Sequence, residues 1–210
     1  MKNIHVGRLL RANIRGCVAG CQVSQDFPDF GALVVIPLGE QFKIFGLVTD
    51  IHIDDDGLVR QLAAAENVPD EVIQDNRLNR NIPVEMSVIF IGHARGETIS
   101  HCLPPHPPLS LDSMLECSDE LLCAFTGAGR FGYLRHLLNA EDIPTADLLA
   151  THLSQAGNAQ AAAGNSSWLT DATREVITLL RDDHATLSGV LGAIADIMPA
   201  QQTKNLGAIK

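Results

Sequence analysis

The chain has 210 residues, 46% of them hydrophobic, and its 15 basic against 25 acidic side chains give a formal charge of −10. That length holds one domain with an appendage or two small domains, and the acidity excludes a protein that grips nucleic acid over its whole surface, because phosphate binding needs clustered Lys and Arg. Apolar runs such as Ala32 to Ile36 fall far short of the roughly 20 residues a membrane helix needs, no basic-then-apolar leader opens the chain, and five cysteines without framework spacing fit a reducing compartment. The expectation is a cytoplasmic protein with no membrane contact.

Lys2, Arg8, Arg11 and Arg15 all precede the first acidic residue, Asp26. They place a local positive charge at the N-terminal edge of an acidic body, on positions that solvated strand faces ordinarily carry. Strand candidates follow over Val6 to Ile14, Cys17 to Val23 and Ala32 to Leu38, separated by Arg15-Gly16 and by the loop Phe27 to Gly31. The clearest strand is Phe42 to Ile53, where Phe45, Leu47, Thr49, Ile51 and Ile53 fall at period two, and where Phe42, Ile44 and Val48 make the other face apolar as well. Asp55-Asp56-Gly57 ends it with a turn. Leu58 to Asn81 has helical spacing and a Pro69 suited to a helix start, and reads as an excursion before strands resume over Val84 to His93 and Thr98 to Leu103. Short strands at this spacing point to a barrel or sandwich. Pro104-Pro-His-Pro-Pro108 is extended, non-helical chain and marks the end of the barrel.

Everything after Leu109 reads as helical. Helices are expected from Ser118 through Phe125, from Arg130 to Asn139 and from Pro144-Thr145 through Gln155. The low-complexity stretch over residues 157–167 reads as a flexible linker. One long amphipathic helix is expected from Asp171 to Met198, with Val176, Ile177, Leu180, Leu187, Val190, Leu191, Ile194 and Ile197 in a stripe that either packs back on the domain, the favoured reading because isolated helices need tertiary packing, or meets a partner chain.

Gly127-Ala-Gly129-Arg-Phe-Gly132 matches the dinucleotide fingerprint letter for letter. That pattern needs a strand before it, which Leu121 to Phe125 would supply, and an acid about 20 residues on, for which Glu141, Asp142 or Asp147 would serve. The alternating strands and helices of a doubly wound sheet do not follow, so a glycine-rich break between helices is the favoured reading. No G-x-x-x-x-G-K-[ST] loop occurs, and none of Lys2, Lys43, Lys204 and Lys210 follows a glycine loop. On a strand, Cys17 and Cys21 lie about 13 Å apart, too far to share a zinc. Cys102 and His106 flank two prolines, roughly 12 Å apart on an extended segment. Asp54 to Gly57 lacks calcium-loop spacing. No metal, cofactor or catalytic residue is assigned.

The opening Val6-Gly-Arg8, the strand Phe45-Gly-Leu-Val-Thr-Asp-Ile51, the acidic turn, the helical excursion, the strand Val88-Ile-Phe-Ile-Gly92 and the proline-rich exit occur in an order that resembles the HAS-barrel family. This is the N-terminal barrel of HerA-type ATPases and of F-type ATP synthase subunits, here without the ATPase core. The resemblance covers about residues 3–108 and implies a small N-terminal antiparallel β-barrel domain over 1–108; the residue patterns add a mainly α-helical region at 109–156, the linker at 157–167 and the amphipathic helix at 168–210, which have no counterpart in the family, so that the fold class expected is α+β. It also implies a non-catalytic assembly or docking protein, either a homo-oligomer or a partner of a HerA-like translocase or a NurA-like nuclease. Candidate interface residues are Leu180, Leu187, Leu191 and Ile194 on the last helix and Asp55 and Asp56 at the barrel turn. The alternatives are a nucleotide-binding enzyme using the Gly127–Gly132 loop and a structural ring component with no ATPase partner.

Overall fold

The computed structural model describes residues 5–21, 27–53, 57–78 and 84–197. The chain forms two compact units, Met1–Ser118 and Asp119–Lys210. In the first, strands β1 (His5–Ala12), β2 (Gly16–Cys21), β3 (Leu33–Leu38), β4 (Phe42–Ile53), β5 (Val84–Arg95), β6 (Thr98–Ser100) and β7 (Ser113–Glu116) form one antiparallel sheet. The order is β2-β1-β7-β3-β4-β5-β6, and β2 also pairs with β5 over six residues, Gly16 to Cys21 against Ile89 to Val84. That pairing closes six strands into a barrel, with β6 a hairpin extension of β5. Between β4 and β5 the chain makes helices α1 (Leu58–Ala64) and α2 (Asp70–Leu78), the expected excursion.

A barrel this small has room only for side chains. Val6, Leu9, Ile36, Ile44, Met86 and Phe90 are among the buried residues that fill it, joined by Cys17 and Cys21 from β2. Closure needs sharp curvature, which the strands obtain from glycines and bulges. A Cβ on Gly16 would lie 2.3 Å from the Val88 carbonyl oxygen, and one on Gly7 would lie 2.4 Å from that of Gly20. In the β4–β5 ladder the register slips between Phe45 and Gly46 and again between Val48 and Asp50. The second slip inserts Thr49 and reverses the alternation. Ile44 and Val48 point into the barrel, and so does Ile51, which the period-two pattern had put with Phe45 and Leu47. Residues 44–49 of β4 are all buried, as the apolar character of both faces implies.

The barrel extends past residue 108. β7, in a stretch read as helical, pairs with β1 and β3 and is one of the six barrel strands. With four residues, Ser-Met-Leu-Glu, it carries no strand signal of its own, and its conformation is set by its partners.

In the second unit, α3 (Asp119–Gly127), α4 (Leu134–Leu138), α5 (Thr145–Ala162), α6 (Trp168–Leu179) and α7 (His184–Ile197) surround a core of Phe125, Tyr133, Leu149, Leu153 and Trp168. The central element is α5, against which α3, α4, α6 and α7 all pack. Residues 157–162, expected in a linker, are its last turns. Alanine is the best helix former, and Gly157, Ala159 and Gln160 are buried, with Gly157 admitting the Leu169 side chain at 3.4 Å from where a Cβ would stand. The single helix expected from Asp171 is two, broken over Leu180 to Asp183. Asp183 causes the break. Its carboxylate accepts from the Thr186 backbone N–H at 3.1 Å and from the Thr186 hydroxyl at 2.6 Å, which is an N-cap for α7.

Candidate interaction surfaces

On β1 the pairing with β2 slips between Leu9 and Arg11, so that Leu10 is an extra residue on a bulge. The turn that leads into β7 lies against this bulge. The Leu111 N–H donates to the Leu9 carbonyl at 2.8 Å, and the Leu9 N–H to the Asp112 carbonyl at 3.0 Å. The Ser110 hydroxyl donates to the Leu10 carbonyl at 3.2 Å, and Arg8 donates to the Leu111 carbonyl at 3.0 Å. The turn is closed internally by Asp112, whose carboxylate accepts the Leu109 N–H at 2.8 Å. Leu109 is 74% exposed, Leu111 67% and Leu10 40%. Leu111 holds φ at +72°, a region a β-carbon disfavours.

Around the barrel from this turn runs a polar line. Arg11 Nη1 stands 3.6 Å from Glu85 Oε2, the same oxygen is 3.7 Å from His52 Nε2, and His52 Nδ1 is 3.1 Å from Asp50 Oδ2. Adjacent strands β4 and β5 pair His52 with Glu85 directly. Arg8, Arg11 and Arg15 are all exposed. Lys2, Asp55 and Asp56 lie outside the described residues.

The residues of the expected helical stripe divide between the two helices. Leu180 and Ile194 are buried, Leu187 is half-buried, and Leu191 remains 37% exposed. Ile177 and Leu179, on either side of the buried Val176–Leu180 line, are 42% and 44% exposed. The structure therefore does not bring the four named leucine and isoleucine positions onto one open surface: two of them are core. Leu180 is buried with Val176 at the end of α6, and α7, which starts anew at Asp183, buries Val190 and Ile194.

The Gly127 loop lacks the strand that a dinucleotide site needs before it, and the helix that begins after Gly132, α4, has only five residues. Leu121 to Phe125 is the body of α3, and Gly127 is its last residue, so the helix presents carbonyl oxygens there, the negative end of its dipole. Gly129 and Phe131 both have positive φ, and Phe131 turns its ring edge-on to Trp168 at 5.6 Å. The Trp168 indole N–H donates to the Thr126 carbonyl, and Gln160 donates to the Cys123 carbonyl and the Thr126 hydroxyl, both at 2.9 Å. The loop is thus a helix C-terminus tied down by its neighbours. Beside it, Tyr133 and His152, fully buried, meet hydroxyl to Nε2 at 3.2 Å with rings edge to face, and burial holds the Tyr133 phenol well above its usual range.

Among the cysteines, Cys17 lines the barrel, where burial pushes its thiol up to about 12, and burial also raises Cys21. Cys102 is exposed, and its carbonyl oxygen lies 3.0 Å from His93 Nδ1. No group of three or more His, Cys, Asp or Glu gathers for a metal among the described residues, and no described helix is long and apolar enough to cross a membrane. The Leu109–Leu111 turn is not among the expected sites. Its signal was present in two leucines flanking a serine immediately after a proline-rich connector, ahead of an aspartate. Comparison with known proteins finds no family model that matches the chain and no similar curated sequence.

Proposed function

We propose that the chain is a non-catalytic assembly and docking protein: a barrel of the HAS type that oligomerises or binds a HerA-like DNA translocase or its NurA-like nuclease, in the cytoplasm. The observation that carries the reading is the closed six-stranded barrel packed solid with apolar side chains. Such a barrel has its interior committed to stability, and its chemistry with other molecules resides on the outer wall and rims. The order of strands and the helical excursion between β4 and β5 support the likeness to the barrels that sit at one end of ring ATPases.

The test is a reconstitution. The tagged chain is crosslinked in its own nuclease-treated lysate, and the products are identified by mass spectrometry and rebuilt from purified components. A ring ATPase or a nuclease recovered at fixed stoichiometry, and rebound when purified, is the expected result. Recovery of the chain with neither overturns the translocase reading.

A further inference from the structure

The apolar positions of α6 and α7 keep one phase across the break between them. Leu169, Thr173, Val176, Leu180, Asp183, Leu187, Val190, Ile194 and Ile197 follow one another at alternating intervals of four and three residues, the spacing of the inner seam of a coiled-coil helix. A turn between two helices imposes no phase relation on them, so this continuity is the property of one uninterrupted helix. Asp183 is the only charged side chain in the series.

The joint itself is helix-competent chain. Helices ordinarily stop at glycine or proline, yet Leu180, Arg181, Asp182 and Asp183 include neither, and none of the four holds a positive φ. The bend is held by the Asp183 cap on Thr186 and by the packing of α7 on α5, the most extensive helix contact of the unit, whereas α6 and α7 make little contact with each other. Opening the joint therefore gives up the cap and the α5–α7 contact. A straight helix replaces the first with backbone hydrogen bonds four residues apart. The second is regained in full when α7 lies on α5 of another copy.

We propose that the joint Leu180–Asp183 is an exchange hinge: α6 and α7 straighten into one helix, and α7 leaves α5 of its own chain for α5 of a second copy, which gives its own α7 in return. Such an exchange builds a symmetric dimer out of contacts the monomer already has. That identity names the occupant, because α7 offers the same buried Val190 and Ile194 to the same helix in either state. Continuity of phase is the condition for it. With the joint straight, α6 keeps its stripe on its own α5 while α7 presents its stripe on the same side, toward the partner's. Asp183 sets the balance, since it caps α7 in the bend and is a lone carboxylate on an apolar seam in the straight helix, which favours the closed monomer. The inference deepens the assembly reading and rests on it for the use to which the dimer is put.

Gly189 on α7 and Ala146 on α5 supply the probe, because a Cβ on Gly189 would stand 3.9 Å from that of Ala146, within disulfide range. In A146C/G189C, with the exposed Cys102 changed to Ser, the oxidised bond is expected within one chain in the monomer and between two chains in the exchanged dimer, and A146C or G189C alone is expected to give neither. Sedimentation velocity on the full chain is expected to show a dimer that grows when the wild type is refolded from urea at high concentration. D183L, which removes the cap and the seam carboxylate from both chains, is expected to raise dimerisation at least about tenfold. Two glycines inserted after Asp182 in D183L break the helix and its phase, and are expected to restore the monomer. D183L that stays monomeric, a D183L dimer whose bond lies within one chain, or a glycine-inserted D183L that stays dimeric each overturns the proposal. Thermal unfolding followed by Trp168 fluorescence shows whether D183L folds; if it does not, the refolded wild type carries the test, and the absence of an interchain bond there overturns the hinge equally. A ring ATPase recovered by a chain that never exchanges overturns the hinge and leaves the docking reading standing, and an exchanged dimer that recovers neither ATPase nor nuclease does the reverse.

Discussion

The barrel's closure can be broken at one atom. Gly16 opens β2, and replacing it with alanine puts a methyl carbon 2.3 Å from the Val88 carbonyl oxygen and 3.3 Å from the carbonyl carbon. An ordinary contact begins at 3.4 Å, so the strands must part by about 1 Å. The obstacle is backbone, which cannot rotate away. Parting β2 from β5 by that much stretches the neighbouring bonds, including Phe90 N–H to the Arg15 carbonyl at 2.7 Å, to near or past the hydrogen-bond limit. Two such bonds at about 1 kcal/mol each, with about 1–3 kcal/mol for overpacking, give a loss of roughly 3–5 kcal/mol, a large part of the roughly 5–15 kcal/mol that holds a domain folded. Hydrogen exchange with peptide resolution is the assay, because it reads the barrel and the helices separately. G16A is expected to lose protection in peptides covering β2 and β5. Trp168, the one tryptophan, reports on the helical unit, and its fluorescence transition is expected to stay in place. Wild-type protection in β2 and β5, or a loss below about 1 kcal/mol, would refute the steric argument. Equal losses in both units would refute their independence. Gly39→Ala is the control. It has φ at +74° and open space around the position, so its cost is the left-handed strain alone, about 1–2 kcal/mol.

Tyr133→Phe deletes the hydroxyl that meets His152 inside the helical unit, and is expected to lower its stability by about 1–2 kcal/mol in urea followed by Trp168 fluorescence, with the barrel unaffected. The Cys17 thiol ionises in the unfolded chain near 9.0 and in the folded barrel only near 12, so the unfolded state binds fewer protons in that interval. Barrel stability is therefore expected to be full below pH 9.0 and to fall as the pH rises toward about 12, and Cys17→Ala to flatten that fall. Alkylation of the native protein at neutral pH is expected to mark exposed Cys102 first and to leave Cys17 unmodified until unfolding, as peptide mass mapping will report. The hydrogen bonds from Thr186 to Asp183 hold that carboxyl below its usual 3.8, so the cap is present above that pH and lost as the pH falls through the lowered value. Asp183→Ala is expected to speed hydrogen exchange over the first turn of α7 and to remove this acid sensitivity.

The strands that the residues announced were those whose two faces differ in chemistry or whose ends are marked. Phe42–Ile53 was legible to the residue, since its apolar positions are dense and Asp54 to Gly57 follow it. Its facing was not, because a bulge is one inserted residue in a ladder whose partner is 38 positions away, and Thr49 makes its hydroxyl bond to the Ser87 carbonyl only once that ladder exists. β7 was invisible for the same reason in stronger form: its four residues become a strand by lying between β1 and β3. In the helical half, alanine, asparagine and glutamine over 157–162 read as linker composition although alanine favours helix, and burial against α6 decided the matter. The stripe from Val176 to Ile197 was real as a pattern, but a pattern does not reveal that Asp183 turns its carboxylate onto Thr186 and starts a new helix. Two of the four helical candidate positions, Leu180 at the end of α6 and Ile194 on α7, are in the core.

A stripe found by periodicity is apolar because something covers it, and here much of the cover is the helical unit's own core, with α5 against both α6 and α7. An exposed leucine on a turn has no periodicity to announce it. What marks Leu111 is a conflict between levels: the backbone asks for glycine, the solvent asks for a polar group, and the hydrogen bonds from Arg8 and to Leu9 hold a leucine against both. Local choices in a folded chain ordinarily agree with one another, and a place where two disagree with a third points to a requirement from outside the monomer.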